Sequence, residues 1–281
     1  MRIIWIMSRP LLGTLGTPKQ NHTGSWVDAA FDGLKDIEDV EIHAIYMAKN
    51  CQEQIEHVGR HFVYKLPKEQ YCNLKKIEFW KRLESRIQPD LMMVWGSEQG
   101  VALPPVTALT DIPRVVYIQG LLNNIVVNFN GGLTTLEILK SFCISDLFRL
   151  KWIPILRARY KKRAETELKV LKQTDAVIIE NDWCAGQIRT LVSNSKIFRS
   201  FLPIKKEFFN YDWDINSIER YTIFTNAGGL PLKGHHTLFK AMSMVVKKYP
   251  GAKLLIPGIQ LIALHSKKEE KLLAITDIYT I

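Results

Sequence analysis

The chain lacks the marks of a disulfide-built or membrane-spanning protein. Its four cysteines, Cys51, Cys72, Cys143 and Cys184, stand far apart and form no CxxC pair. That pattern fits free thiols in a reducing compartment rather than a disulfide framework or zinc knuckle. No apolar run reaches the length of a membrane helix. Residues 1–7 are apolar, but Ser8, Arg9 and Pro10 end the run at strand length, too short for a signal peptide. The expected location is the cytoplasm. No GxGxxG directly follows that first run, and GxxxxGK[ST] and HExxH are absent, as are internal repeats and low-complexity tracts.

What is present is a core-forming chain with a strong positive balance. Of 281 residues, 47% are hydrophobic, enough for one large or two moderate domains, and the net charge is +10. Such a balance favours anionic partners: nucleotide phosphates, acidic headgroups or nucleic acid. Strand-like runs at 3–7, 40–47, 61–66, 91–95, 115–118, 176–179 and 197–201 alternate with amphipathic runs at 25–34, 74–87 and 182–191. This alternation predicts a mostly parallel sheet covered on both faces. Ligands of such sheets gather beyond the carboxyl ends of the strands. Residues 8–16, Gly96-Ser97-Glu98, Gln119-Gly120 and Glu180-Asn181-Asp182 lie at those ends.

The most informative segment begins near residue 221. It reads as a strand, the turn Ala227-Gly228-Gly229, Lys233-Gly234, a helix bearing Leu238, Ala241, Met242, Val245 and Val246, and a strand at 253–256. A glycine turn and a lysine ahead of a helix place backbone N–H groups and a cation where a phosphate would sit. A merely solvated lysine is the alternative, and the βαβ frame favours phosphate. His235 and His236 follow, either touching a ligand or lying on the surface.

Other features carry two readings each. Gly13, Gly16 and Gly24 form a loop that admits a substrate or is an ordinary surface loop. His57 and His61, four apart, suit a metal only if further ligands exist, and a solvated pair is favoured. Residues 149–163 hold seven cations and no acid, interleaved with Trp152, Ile153, Ile155, Leu156 and Tyr160. They form an anionic membrane contact or part of a long solvated helix over 157–172 with one buried face, with Pro154 interrupting any helix there. Nucleic acid is not expected, since no RNP-type signature is present. Glu98, Glu180 and Asp182 are acids able to bind a sugar hydroxyl or act as a base, although Asp182 also suits a helix cap.

On the segment 228–258, the connector before it, and the stretches 94–98, 116–121 and 177–183, the chain resembles retaining glycosyltransferases of the two-domain GT-B type, the group 1 (GT4-like) enzymes. The resemblance runs over nearly the whole chain to Gly258. It implies an α/β fold of GT-B type. A Rossmann-like acceptor-side domain would occupy 1–203, a connector 204–218, and the beginning of a nucleotide-sugar domain 219–281. It implies transfer of a hexose from a nucleotide-sugar to a saccharide or lipid-linked acceptor in polysaccharide or glycoconjugate assembly, with no metal and no cofactor. Gly228, Gly229, Lys233 and Gly234 would hold the donor diphosphate. Gln119 would stand near the reacting sugar, where many relatives carry a histidine. Gly13, Thr14, Gly16, Glu98, Gly120 and Glu180 would meet the acceptor. The family's arginine before the lysine is replaced by Ala227 and Gly228, and its later Glu-x7-Glu motif is absent. A weakly active, shortened enzyme is therefore expected, peripheral on the inner face of the membrane if 149–163 binds lipid. The alternative is a non-catalytic acceptor- or membrane-binding module. An epimerase of another doubly wound fold is disfavoured by the missing GxGxxG.

Overall fold

A computed structural model of the chain describes residues 1–17, 25–98, 100–226 and 229–256. In chain order the first elements are β1 (Arg2–Met7), α1 (Ser25–Leu34), β2 (Glu41–Ala48), β3 (Gln54–Val58), β4 (His61–Pro67), α2 (Lys68–Tyr71), α3 (Ile77–Ile87), β5 (Leu91–Trp95), α4 (Leu103–Ala108) and β6 (Arg114–Tyr117). Then come α5 (Leu122–Val127), α6 (Thr135–Lys140), α7 (Ile144–Phe148), α8 (Ile153–Leu171), β7 (Ala176–Ile179), α9 (Asp182–Leu191), β8 (Lys196–Arg199), β9 (Thr222–Phe224), α10 (His235–Lys248) and β10 (Lys253–Leu255). The chain divides into two compact units. One comprises Met1–Asn124 and Tyr160–Asp212, the other Ile125–Arg159 and Trp213–Ile281.

The first unit is an α/β layer structure around an eight-stranded sheet of order β3-β4-β2-β1-β5-β6-β7-β8. Every pairing is parallel except β3 with β4. Ile3, Ile4, Trp5, Ile6 and Met7 are all buried, because a central parallel strand is covered on both faces and cannot alternate with polar residues. On one face Ile4, Ile6, Ile45 and Val94 pack with Trp80, Leu83 and Ile87 of α3 and Ile188 of α9. The spacing 80, 83, 87 is one helical stripe. On the other face Trp5, Ile42 and Trp95 pack with Ala30 and Phe31 of α1. Trp5 meets Trp95 edge-on at 4.9 Å, and Trp95 stacks on Tyr117 at 5.4 Å.

Two sequence expectations need correction here. His57 and His61 are not a solvated pair at helical spacing, since they lie on the two strands of the β3–β4 hairpin. His61 is only 2% exposed. Its Nδ1 accepts from the Ile42 N–H at 3.0 Å, and its Nε2 donates to the Lys35 carbonyl at 2.8 Å. It is a core histidine tying α1's end to β2. Pro154 does not interrupt a helix, because α8 starts at Ile153 and Pro154 falls in its first turn. A missing N–H costs nothing there, as the first four have no intrahelical acceptor.

In the second unit β9 and β10 pair in parallel, with Leu254 opposite Ile223, and α10 connects them. Residues 125–159 pack onto this βαβ unit. Gly131, at φ +60°, lies so close to the Pro231 carbonyl that any Cβ would collide with it. His236 Nε2 donates to the Gly131 carbonyl at 3.0 Å, and Lys240 pairs with Glu137 at 2.9 Å. Thr134 and Glu137 form a reciprocal capping box at the start of α6.

Candidate functional site

In the first unit the turns after β5, β6 and β7 bring chemistry together at the carboxyl ends of the strands. Gly96 ends β5 at φ +83°, a left-handed conformation that glycine adopts without strain. A Cβ there would stand 2.5 Å from Glu98 Oε2 and 3.6 Å from Gln119 Nε2. The Glu98 carboxyl and the Gln119 amide thus converge over the bare glycine backbone. The Gly120 N–H bonds the Glu98 carboxyl, and Arg163 and Arg9 add positive charge nearby. Arg163 Nε also donates to the Glu98 backbone carbonyl at 2.6 Å. Burial outweighs these anion-favouring contacts and raises the Glu98 carboxyl above its ordinary value.

Behind this pair lies a carboxyl that the sequence reading missed. Glu167 of α8 is 0% exposed. Its Oε1 accepts from Ser97 Oγ at 2.7 Å, and its Oε2 from the Asn123 side-chain amide at 3.1 Å and backbone N–H at 3.3 Å. Burial pushes it up to about 7, with the Glu98 charge adding to the rise and the three donors opposing it. The signal was an acid on the stripe Ala164, Val170, Leu171 that α8 buries; the sequence predicts one buried face for this helix without placing Glu167 on it. Glu167 holds Ser97 and Asn123 in place, and with Glu98 forms two neighbouring carboxyls that resist ionising together.

Glu180 stands one strand over, past β7. Burial raises its pKa, and its charge faces Tyr117 and Cys184. The Tyr117 hydroxyl donates to the Ser200 carbonyl at 3.1 Å, and burial pushes it up to about 12. Asp182 opens α9 and pairs loosely with Arg199 at 3.4 Å, while the cap itself is Asn181, accepting from the Cys184 N–H at 2.9 Å.

The loop after β1 is tied down from within. Gly13 (φ +74°), Leu15 (φ +49°) and Gly16 (φ +77°) turn it left-handed. Thr14 is buried, and its hydroxyl donates to the Leu11 carbonyl at 2.8 Å. The Leu12 N–H donates to Asp28 at 2.8 Å, and the Leu15 N–H to Glu56. The Thr14 hydroxyl proton is therefore spent within the loop. Gly24 lies outside the described residues.

In the second unit Pro231–Lys233 form a 3-10 turn. Gly234, at φ +79°, caps α10 without any side-chain hydrogen bond. The helix start is thus left with N–H groups that a side chain would otherwise satisfy, beside the exposed Lys233. Gly229 precedes this turn, and Gly228 lies outside the described residues. His235 is buried against Phe239, and its Nε2 has no partner among the described residues. No metal-holding group of His, Cys, Asp and Glu exists among the described residues. No helix among them is long and apolar enough to cross a membrane.

Neither a protein-family model nor a curated protein sequence matches the chain. Solved structures do align with it. Sucrose-phosphate synthase from Thermosynechococcus elongatus is 11% identical over 92% of this chain and 70% of its own, with a TM-score of 0.45. A second structure of that synthase is 13% identical over 74% of this chain and 91% of its own, with a TM-score of 0.40. An alpha,alpha-trehalose 6-phosphate synthase from Burkholderia multivorans is 12% identical over 67% of this chain and 41% of its own, with a TM-score of 0.36. The likeness is distant in both sequence and geometry.

Proposed function

We propose that the chain takes part in glycosyl transfer from a nucleotide-sugar. The observation that carries this reading is the start of α10, where Gly234 leaves the helix without a side-chain cap next to Lys233. Helix-end N–H groups and a lysine suit a diphosphate, and they stabilise it most as it departs with growing negative charge. In the first unit the strand-end groups suit a polyhydroxyl acceptor. Gln119 donates a hydrogen bond at the reacting sugar. Glu98 and Glu180 accept from acceptor hydroxyls, and burial, which raises both carboxyls above their ordinary value, makes either a better proton acceptor than an exposed one. Gly13, Gly16 and Gly120 let backbone approach the sugar, and the Thr14 oxygen retains accepting capacity. The reaction is read as retaining, on a hexose, without metal. The GT-B resemblance of the sequence supports that finer reading.

The test is to incubate the chain with UDP-, GDP- and ADP-hexoses and follow release of the nucleoside diphosphate. Release from one donor, sharply reduced in Gln119→Ala and Lys233→Ala, is expected. The anomeric configuration of the product, read by NMR, tests retention. No release from any donor, with or without saccharide acceptors, would overturn the enzymatic reading in favour of a binding module.

A second reading concerns the second unit alone, through Ile125–Arg159. Leu136, Leu139, Ile144 and Phe148 of α6 and α7 are exposed, Phe148 by 83%. Arg149, Lys151, Arg157 and Arg159 of the same unit follow directly. Apolar groups beside a cationic run suit an anionic lipid surface, which would place the protein on the cytoplasmic face of a membrane. Flotation with phosphatidylglycerol vesicles at low salt, abolished in Phe148→Asp and absent with phosphatidylcholine, is the expected outcome. Equal recovery with both lipids would refute it.

A further inference from the structure

At the opposite, amino-terminal end of the same sheet lies a cleft of about 500 Å³ that the proposed transfer does not use. It opens on the sheet face that α3 covers, just beyond that helix's last turn. Its walls come from β1, β2, the β3–β4 hairpin and the end of α3. The volume suits a small molecule.

The lining is a shelf of rings backed by a polar chain. His43 and Phe62 stack at 4.7 Å with planes 8° apart, and His57 meets Phe62 edge-on at 4.5 Å. Phe62 is half-buried and His57 exposed, so the shelf has an open side. Behind it Arg86 hydrogen bonds the Tyr64 hydroxyl. That hydroxyl is 3.0 Å from His43 Nδ1, and His43 Nε2 is 2.7 Å from Glu41. One assignment satisfies every group: Arg86 donates to Tyr64, Tyr64 to His43, and His43 to Glu41, with His43 neutral. Arg2 closes the other side, 3.7 Å from Glu41 and donating to the Ile87 carbonyl at 3.2 Å. With His43 neutral, the wall carries two guanidinium groups against one carboxylate, a surplus of one positive charge.

The hydrogen-bonded chain is buried at His43 and Tyr64, which fixes these two side chains before any ligand arrives and lowers the cost of binding. We propose that this cleft is a second binding site, for a small planar aromatic monoanion. The ring lies on the Phe62 and His57 shelf, and the anionic group meets Arg86 and Arg2. Guanidinium groups suit a carboxylate through paired donors, and aromatic shelves favour flat rings. The site lies at the other end of the strands from Glu98 and Gln119, so a ligand there would be an effector of the first unit rather than a reactant.

The test uses 2-naphthoate as the probe, titrated into the full chain and followed by calorimetry, with 2-naphthalenemethanol as the uncharged counterpart. Saturable binding of one naphthoate per chain in the low-millimolar range or tighter is expected. Arg86→Gln removes an exposed guanidinium and should weaken it about fivefold. Arg189→Gln, on α9, should leave it unchanged. A ring-shift NMR signal from His57, lost in His57→Ala, locates the probe. No saturable binding, equal affinity in Arg86→Gln, or equal binding of the uncharged counterpart would each overturn the proposal.

Discussion

Glu167→Gln gives the sharpest test of how the first unit is built. Glu167 is wholly buried, and burial moves its carboxyl from 4.5 to about 7. A raised carboxyl binds its proton more tightly in the folded state than in the unfolded one. Its contribution to stability is therefore fully present below about pH 4.5 and is lost as pH rises through about 7. The shift corresponds to ~3 kcal/mol in all, and roughly 2.5 kcal/mol of it falls between about pH 5 and about pH 8. Glutamine cannot titrate, so the variant lacks this loss. Its carbonyl can accept from the Asn123 donors that met Oε2 while its amide donates to the Ser97 oxygen, so it stands in for the protonated carboxyl. The assay is urea unfolding by tryptophan fluorescence near both pH values, for both proteins. Glu180 and Asp28 also have raised pKa values, but they remain in the variant and cancel in the comparison, whereas Glu98 is coupled to Glu167 and ionises more readily once that charge is gone. The variant should match the parent near the lower pH and exceed it by about 2 kcal/mol at the higher one. An identical pH slope in both proteins would refute the assignment.

Two further substitutions test the geometry at other points. Gly96→Ala places a Cβ against the Glu98 carboxyl at a positive φ; it should lower stability by about 1–3 kcal/mol and reduce any transfer activity, both readable from urea midpoints and turnover. His61→Leu leaves the Ile42 N–H buried without its acceptor and should cost about 1–3 kcal/mol, whereas His57→Ala on the exposed hairpin should change the midpoint little.

Much of the first unit was legible because its central strands are continuous apolar runs punctuated by glycine or polar residues. Residues 91–95 and 176–179 coincide with β5 and β7. β3 escaped notice because Gln54, Ile55, Glu56, His57 and Val58 form an edge strand with no two-sided burial to write an apolar run. The helices between 125 and 159 were missed for a related reason. Leu136, Leu139, Ile144 and Phe148 are exposed, so their apolar positions follow no buried stripe. At the site, Glu98 and Gln119 were readable as strand-end residues, but their meeting over Gly96 depends on two turns that only the folded sheet aligns. Glu167 lies in a strongly basic stretch, and its partners Ser97 and Asn123 are 70 and 44 residues away. No local pattern could have joined them.

The central claim is that the turn before α10 holds the diphosphate of a nucleotide-sugar. Calorimetric titration of UDP, GDP and ADP into the chain tests it most directly. Saturable binding of at least one of them is expected, weakened about tenfold or more by Lys233→Ala, the loss expected for a charge-assisted contact. Binding of none, or binding indifferent to Lys233→Ala, would contradict it.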